Sequence, residues 1–319
     1  MSSRRGFGLI SVIIAFAASL FGVLFSRDFT ASTESGSLVF TLPTLATLPS
    51  LAPSPSPVPA STPVPTAIPT PKPTAKPTPV AVSGPPGAGY SSMVVSTPKG
   101  NFSVQVLSLD LSSTRVVTDT GNDSDCSDNC STLPLSTYVS RNGGYAGVNG
   151  TYFCPASYPD CSSKKDSFDF PVYNTRLSRW INSSTLSWGG RAMIYFDGSG
   201  VHYKQNAADF SGGLTAGIVN YPGLVNDGNV QIDDNQSGLS DKQKIKNTKV
   251  GIGLRNTNTV LVVVASNVSM LEFAHVFKSL GATGALNLDT GGSAAVIYSG
   301  RNLIGPGRNL PNAIVFVRK

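Results

Sequence analysis

Fifteen of the chain's 23 prolines fall between Pro43 and Pro86, and that stretch decides how the rest can fold. Ser, Thr, Ala and Val fill the gaps between them. Such a composition cannot bury a core, so residues 28–89 are expected to form a disordered, semi-rigid polyproline spacer. At ~3.1 Å per residue its extended reach is on the order of 100 Å. The chain therefore divides into residues 1–27, the spacer, and a folded part at 90–319.

The first of these begins with Arg4 and Arg5 ahead of an uncharged, strongly apolar run from Phe7 to Phe25, closed by Arg27 and Asp28. A spanning helix needs roughly 17–25 such residues. The expectation is an uncleaved signal-anchor at 1–27; a cleaved signal peptide, cut within Ala17-Ala18-Ser19, is the alternative. The paired arginines favour a cytoplasmic N-terminus. The cell membrane is thus an expected partner, and the protein is expected to be single-pass with its C-terminal domain extracytoplasmic, held off the membrane by the spacer.

Residues 90–319 are enough for one domain of ordinary size. Five basic and two acidic residues before Tyr90 account for +3 of the +6 net charge, which leaves +3 on the domain. That is too weak a field for nucleic acid, and no basic run interleaved with aromatics is present. Cys126, Cys130, Cys154 and Cys161 lie close together, and an even number in an exported chain reads as disulfides. Their spacings fit structural zinc poorly. Two disulfides are expected to pin the acidic loop around Asp123–Asp128 near the Asn149 segment, with no metal and no cofactor.

Residues Phe102–Asp110 alternate apolar and polar, as a half-buried strand does, and Arg115–Asp119 is expected to be its partner. Leu133–Arg141 reads as a short helix stopped at Asn142-Gly143-Gly144. Tyr145–Phe153 reads as a strand interrupted at Asn149 and Gly150, where glycine marks a bulge or a close approach. Lys249–Leu254 and Val260–Ala265 read as adjacent strands, and Asp233–Lys246 as exposed polar chain. Leu271, Ala274, Phe277 and Leu280 recur at helical spacing before Gly281. With no βαβ alternation and no repeat, an α+β domain is expected, with one large mixed or mostly antiparallel sheet packed by a few helices.

The stretch Gly284–Leu288 is apolar and then delivers a single carboxylate, Asp289, onto a turn of Thr290, Gly291, Gly292 and Ser293. Glycine lets backbone approach a ligand, and successive N–H groups of such a turn can cradle an anion. Other chemistry has few candidates. Glu34 and Glu272 are the only glutamates, and His202 and His275 the only histidines; neither histidine has a metal-ligating partner at useful spacing. Asp-Thr-Gly occurs at both Asp119 and Asp289, which raises an aspartic peptidase as a remote alternative. The hydrophilic loop after Asp119 is unsuited to a buried dyad.

Four ordered segments resemble the phosphodiester glycosidase family: Gly147–Phe153, Tyr221–Gly228, Leu280–Ser293 and Arg308–Ile314. Two positions depart from the family pattern, with Thr290 in place of the first glycine after the aspartate and Lys249 where the family often has arginine. The resemblance implies hydrolysis of a sugar–phosphate diester at the anomeric carbon, on a cell-surface or exopolysaccharide glycan. It implies Asp289 as acid/base or nucleophile. Asn149 and Tyr152 would orient the sugar or leaving group. Lys249, Arg308, Gly150, Gly291, Gly292 and Ser293 would hold phosphate. Asp227 and Asp169 are candidates for the second carboxylate. A non-catalytic binder of surface glycopolymer is the alternative from a different class.

Overall fold

The computed structural model describes residues 84–233, 235, 238–305 and 307–319. The expected signal-anchor and most of the spacer lie outside the described residues. No helix among the described residues is long and apolar enough to cross a membrane.

Among the described residues three antiparallel sheets build the domain. The first has seven strands, in the order Gly89–Thr97, Gly100–Asp110, Thr259–Val268, Asn247–Asn256, Gly284–Asn287, Gly223–Asn226 and Asn229–Val230. The second runs Arg301–Ile304, Val296–Tyr298, Gly144–Asn149, Asn312–Arg318 and Thr114–Thr120. The third runs Arg179–Ile181, Val172–Asn174, Ala216–Asn220, Ala192–Asp197 and Gly200–Lys204.

Side chains alternate across a strand, so a strand buried on both faces must be apolar throughout. That is why residues 260–265 of the strand Thr259–Val268 read as a continuous apolar run. Val260, Val262 and Val264 enter a central core, while Leu261, Val263 and Ala265 face the helix Met270–Ser279. In the second sheet Ile314 and Phe316 enter the same central core, and Ala313, Val315 and Val317 face the helix Leu135–Arg141. Ile194 and Ile218 supply it from the third sheet. The central core is thus shared by all three sheets, and the two longer helices cover outer faces.

The helix Met270–Ser279 is set by its ends. Ser269 and Glu272 form a capping box, through Ser269 N–H donating to Glu272 Oε2 at 2.7 Å and Glu272 N–H donating to Ser269 Oγ at 3.2 Å. Gly281, at φ +79°, ends it. Phe273 and Phe277 are fully buried against the sheet. A Cβ on Gly251 would stand 2.8 Å from the Phe277 ring, so glycine there lets the helix lie close to the strand that borders Gly284–Asn287.

The expected large sheet is the first of three, and of the two expected forms, mixed or mostly antiparallel, the second holds: every strand pairing among the described residues is antiparallel. Residues 114–120 form a strand, but it pairs with Asn312–Arg318 and not with Gly100–Asp110. The turn at residues 111–113 passes the chain from the first sheet to the second. The connection before Asn247 also differs from expectation. It carries the short helix Asp241–Lys244 and anchors itself through buried Ile232 and Leu239.

Candidate active site

The strand Gly284–Asn287 is buried at every position and lies between Asn247–Asn256 and Gly223–Asn226. Beyond it the backbone stays tied, with Leu288 N–H on Val250 O and Asp289 N–H on Gly150 O, both at 2.9 Å. The chain then turns through Gly291–Ser293, with Gly291 at φ +62°, a conformation that favours glycine. Asp289 is therefore held at 7% exposure. Burial raises its pKa from the ordinary 3.8 to about 7. The Ser293 side chain, the Thr290 N–H at 2.8 Å and the nearby Arg308 charge all oppose that rise without cancelling it.

Four buried asparagines hold the loops that meet here. Asn149 donates to Asp289 O at 2.9 Å and accepts from Ala295 N–H at 3.0 Å, so its amide spans the whole turn. Asn312 accepts from Thr151 N–H at 2.8 Å and donates to Thr151 Oγ1 at 2.9 Å. Asn220 accepts from Tyr152 N–H at 3.2 Å and donates to Asn287 O at 2.8 Å. Asn287 in turn donates to the Tyr152 hydroxyl at 2.7 Å. Burial pushes the Tyr152 phenol up to about 12, and the Asp289 charge adds to the rise. Hydrogen bonds from Gln243, Thr290 and Asn287 work against it.

A cleft of about 580 Å³ opens over this floor. Tyr152, Asp289, Gly291, Gly292 and Ser293 line it, together with residues from two loops the sequence did not single out. One loop, closed by the Cys154–Cys161 disulfide, contributes Tyr158 and Asp160. The other contributes Ser240, Lys242, Gln243, Ile245 and Asn247. No hydrogen bond within the protein occupies the Gly291 and Gly292 N–H groups among the described residues. The Arg308 guanidinium packs on Gly292, where a Cβ would stand 2.6 Å from Nη2.

Three expected site residues sit elsewhere. Gly150 backs onto Asn312, whose Oδ1 would be 1.8 Å from an added Cβ, so it serves a loop crossing rather than the cleft wall. Asn149 spends its side chain on the Asp289–Ala295 backbone. Lys249 is wholly buried beneath the cleft, its ammonium donating to Asn247 Oδ1 at 2.7 Å and Ile245 O at 3.2 Å.

Two disulfides form, Cys126–Cys130 and Cys154–Cys161. Each closes a short loop on itself, so neither staples the acidic loop to the Asn149 segment. Hydrogen bonds tie the acidic loop to Lys165 instead, Cys130 N–H to Lys165 O at 3.1 Å and Lys165 N–H to Asp128 Oδ1 at 2.7 Å.

Neither expected second carboxylate lies in the cleft. Asp227 is exposed at the tip of a turn, and Asp169 is exposed in a separate small groove that also touches Tyr152. Asp119 makes no dyad with Asp289: its carboxylate accepts from Arg141 Nε and Asn142 Nδ2 at 2.7 Å each, and from Thr120 N–H at 2.8 Å. His202 offers one nitrogen, Nε2, to both Asp197 and Ser199 at 3.0 Å, which leaves no relay through the ring. Among the described residues no group of three or more His, Cys, Asp or Glu could hold a metal ion.

The structure is similar to the catalytic domain of zebrafish N-acetylglucosamine-1-phosphodiester alpha-N-acetylglucosaminidase, solved auto-inhibited by its pro-peptide. The TM-score is 0.57 at 14% identity, over 75% of this chain and 86% of that one. It is also similar to a hypothetical protein from Synechocystis, with a TM-score of 0.50 at 15% identity. That match covers 73% of this chain and 62% of that one, so the chain spans less than two thirds of the Synechocystis protein. At such identities the likeness establishes the fold. No curated protein matches the chain. The model of the phosphodiester glycosidase family matches residues 142–317, more than half of the 319 residues and the whole of the Asp289 site. The chain belongs to the phosphodiester glycosidase family.

Proposed function

We propose that the cleft hydrolyses a glycosyl phosphodiester at its anomeric carbon, releasing a free sugar and a phosphomonoester. One observation carries this reading: a buried carboxyl with a pKa near 7 stands in the cleft wall beside an arginine. A carboxyl so poised is half protonated at neutral pH and suits general acid work.

Asp289 gives its proton to the oxygen that links C1 to phosphorus as the C1–O bond breaks. Arg308 and the Gly291 and Gly292 N–H groups balance the charge of the departing phosphate. A water molecule attacks C1, and its proton passes to Asp160, the other carboxylate lining the cleft. Solvent exchange then takes the proton from Asp160 and returns one to Asp289. Tyr152 remains a neutral phenol at working pH and fixes the floor through Asn287. Asn149 acts as a positioning residue by gripping both ends of the turn. Lys249 adds positive potential from below.

The same reading places the domain outside the cytoplasm, on a surface or exported glycan, with the N-terminal segment as its membrane anchor. The two disulfides support an oxidising compartment. The test is incubation of the protein with a panel of glycosyl phosphodiesters, scored for free sugar and phosphomonoester. Turnover lost in Asp289→Asn supports the assignment; tight binding of every substrate with no turnover of any replaces it with the glycopolymer-binding module.

A further inference from the structure

We propose that Lys242, resting on Tyr158, forms a second anionic subsite at the rim of the cleft, beside the scissile-phosphate position served by Arg308. The substrate is then a phosphodiester-linked glycan whose next phosphate, beyond the scissile one, is also bound. The inference rests on the reading of the cleft as a phosphodiester glycosidase site and names its substrate class.

Tyr158 is 39% exposed at the rim and holds two cations against its ring. Lys242 Nζ lies 4.7 Å and Arg308 Cζ 4.9 Å from the same centroid, so the two charges are at most 9.6 Å apart. Like charges at that separation repel, and a single ring offsets little of it at an exposed site. Three basic side chains outside the cleft are neutralised by carboxylates: Arg141 has Asp119, Arg176 has Asp123 and Lys246 has Glu272. Among the described residues neither Lys242 nor Arg308 has an ion-pair partner; Asp160 and Asp241, nearby in sequence, pair with neither.

A second observation is independent of charge counting. Arg308 uses Nη2 on the Tyr158 hydroxyl at 3.4 Å, but its Nη1 is buried with no hydrogen-bond partner. A buried guanidinium donor left unmatched is costly unless a ligand completes it. Arg308 packs on Gly292, next to Asp289, where the scissile phosphate belongs. Lys242 lines the same cleft from the separate Asp241–Lys244 helix.

Both carriers are held in place. The Cys154–Cys161 disulfide closes the loop that bears Tyr158, and the Ser240–Gln243 capping box fixes the helix that bears Lys242. Gln243 further ties that helix to the Tyr152 hydroxyl. Two cations held no more than 9.6 Å apart can each take one of two successive phosphates of a phosphodiester-linked saccharide. A single capped diester would leave Lys242 unused.

The experiment compares two synthetic substrates on the full chain. Both carry the same glycosyl phosphodiester, but only one has a second phosphate on the leaving sugar. The wild type is expected to show a KM about tenfold lower for the doubly charged substrate, the scale of one charge-assisted hydrogen bond. Lys242→Ala and Lys242→Gln are expected to collapse that ratio towards unity, and added salt to narrow it in the wild type. Equal KM values in the wild type, or both rising together in the variants, would overturn the subsite. Calorimetric titration with inorganic tripolyphosphate and inorganic phosphate separates the two readings. If neither substrate turns over but tripolyphosphate still binds more tightly, in a Lys242-dependent way, the glycosidase reading fails and the subsite stands. If tripolyphosphate binds no better than phosphate, the subsite fails.

Discussion

Replacing Asp289 by asparagine should make the protein more stable at alkaline pH while abolishing its catalysis. Burial lifts the carboxyl from 3.8 to about 7, so ionising it inside the fold costs roughly 3 pH units of free energy. At about 1.4 kcal/mol per unit this comes to roughly 4 kcal/mol, and the group is too buried for solvent to screen much of it. The folded state keeps its proton to higher pH than the unfolded chain. It therefore binds more protons between about pH 4 and about pH 7, and stability falls as pH rises through that window. Asparagine cannot ionise and its oxygen can still accept from the Thr290 N–H, so the variant should escape the fall. Urea unfolding of both proteins at about pH 4.5 and pH 8 reads the effect. The variant should gain several kcal/mol on the wild type between the two, up to the roughly 4 kcal/mol limit. Its kcat should drop at least ~10²-fold, the lower scale for acid–base work. Parallel pH profiles for the two proteins would refute the claim that Asp289 is held protonated by burial.

Other outcomes follow from the same geometry. Activity should decline as pH rises through about 7, because the acid form of Asp289 is the working form; a pH–kcat profile that climbs instead would make it a base or nucleophile. Gly150→Ala should cost about 2–4 kcal/mol by driving Asn312 off Thr151, measurable as a fall in the urea midpoint. Phe277→Ala should cost about 3–5 kcal/mol, since the ring is wholly buried between helix and sheet. Asn149→Ala should lower kcat more than it raises KM, because it frees the Asp289–Ala295 turn without touching substrate. Intact mass without reductant should fall short of the reduced value by four hydrogens, one pair for each disulfide.

What could be read from the sequence was what is contiguous along it. The apolar run into Asp289, its glycine turn, the helix with Phe277 and Gly281, and the hairpin around residues 255–258 each announce themselves within a few residues. The partners of Thr114–Thr120 were misassigned because a turn of three residues can either fold a hairpin or pass the chain to another sheet, and only the long-range pairing with Asn312–Arg318 decides. The asparagine set was opaque for a similar reason. A buried amide looks the same in sequence whether it greets a ligand, as expected of Asn149, or clamps a turn that lies 140 residues away. Lys249 was placed at the phosphate through the family's arginine at that position, whereas here its ammonium is satisfied under the floor by Asn247 and Ile245. Tyr158 and Asp160 come from a loop, and Lys242 from a four-residue helix too short to show a periodicity. The one local signal was the short Cys154–Cys161 loop carrying a tyrosine and an aspartate, which marks a stapled segment worth placing near a site.

The most direct test of the account is where water's oxygen goes. Hydrolysis of a glycosyl phosphodiester in ¹⁸O-labelled water, followed by mass spectrometry of both products, distinguishes attack at carbon from attack at phosphorus. Cleavage of the C1–O bond with Asp289 as acid predicts the label in the anomeric hydroxyl of the freed sugar and none in the phosphomonoester. Label in the phosphate instead would mean the P–O bond breaks, and the assignment of the Asp289 cleft to glycosidic chemistry would be wrong.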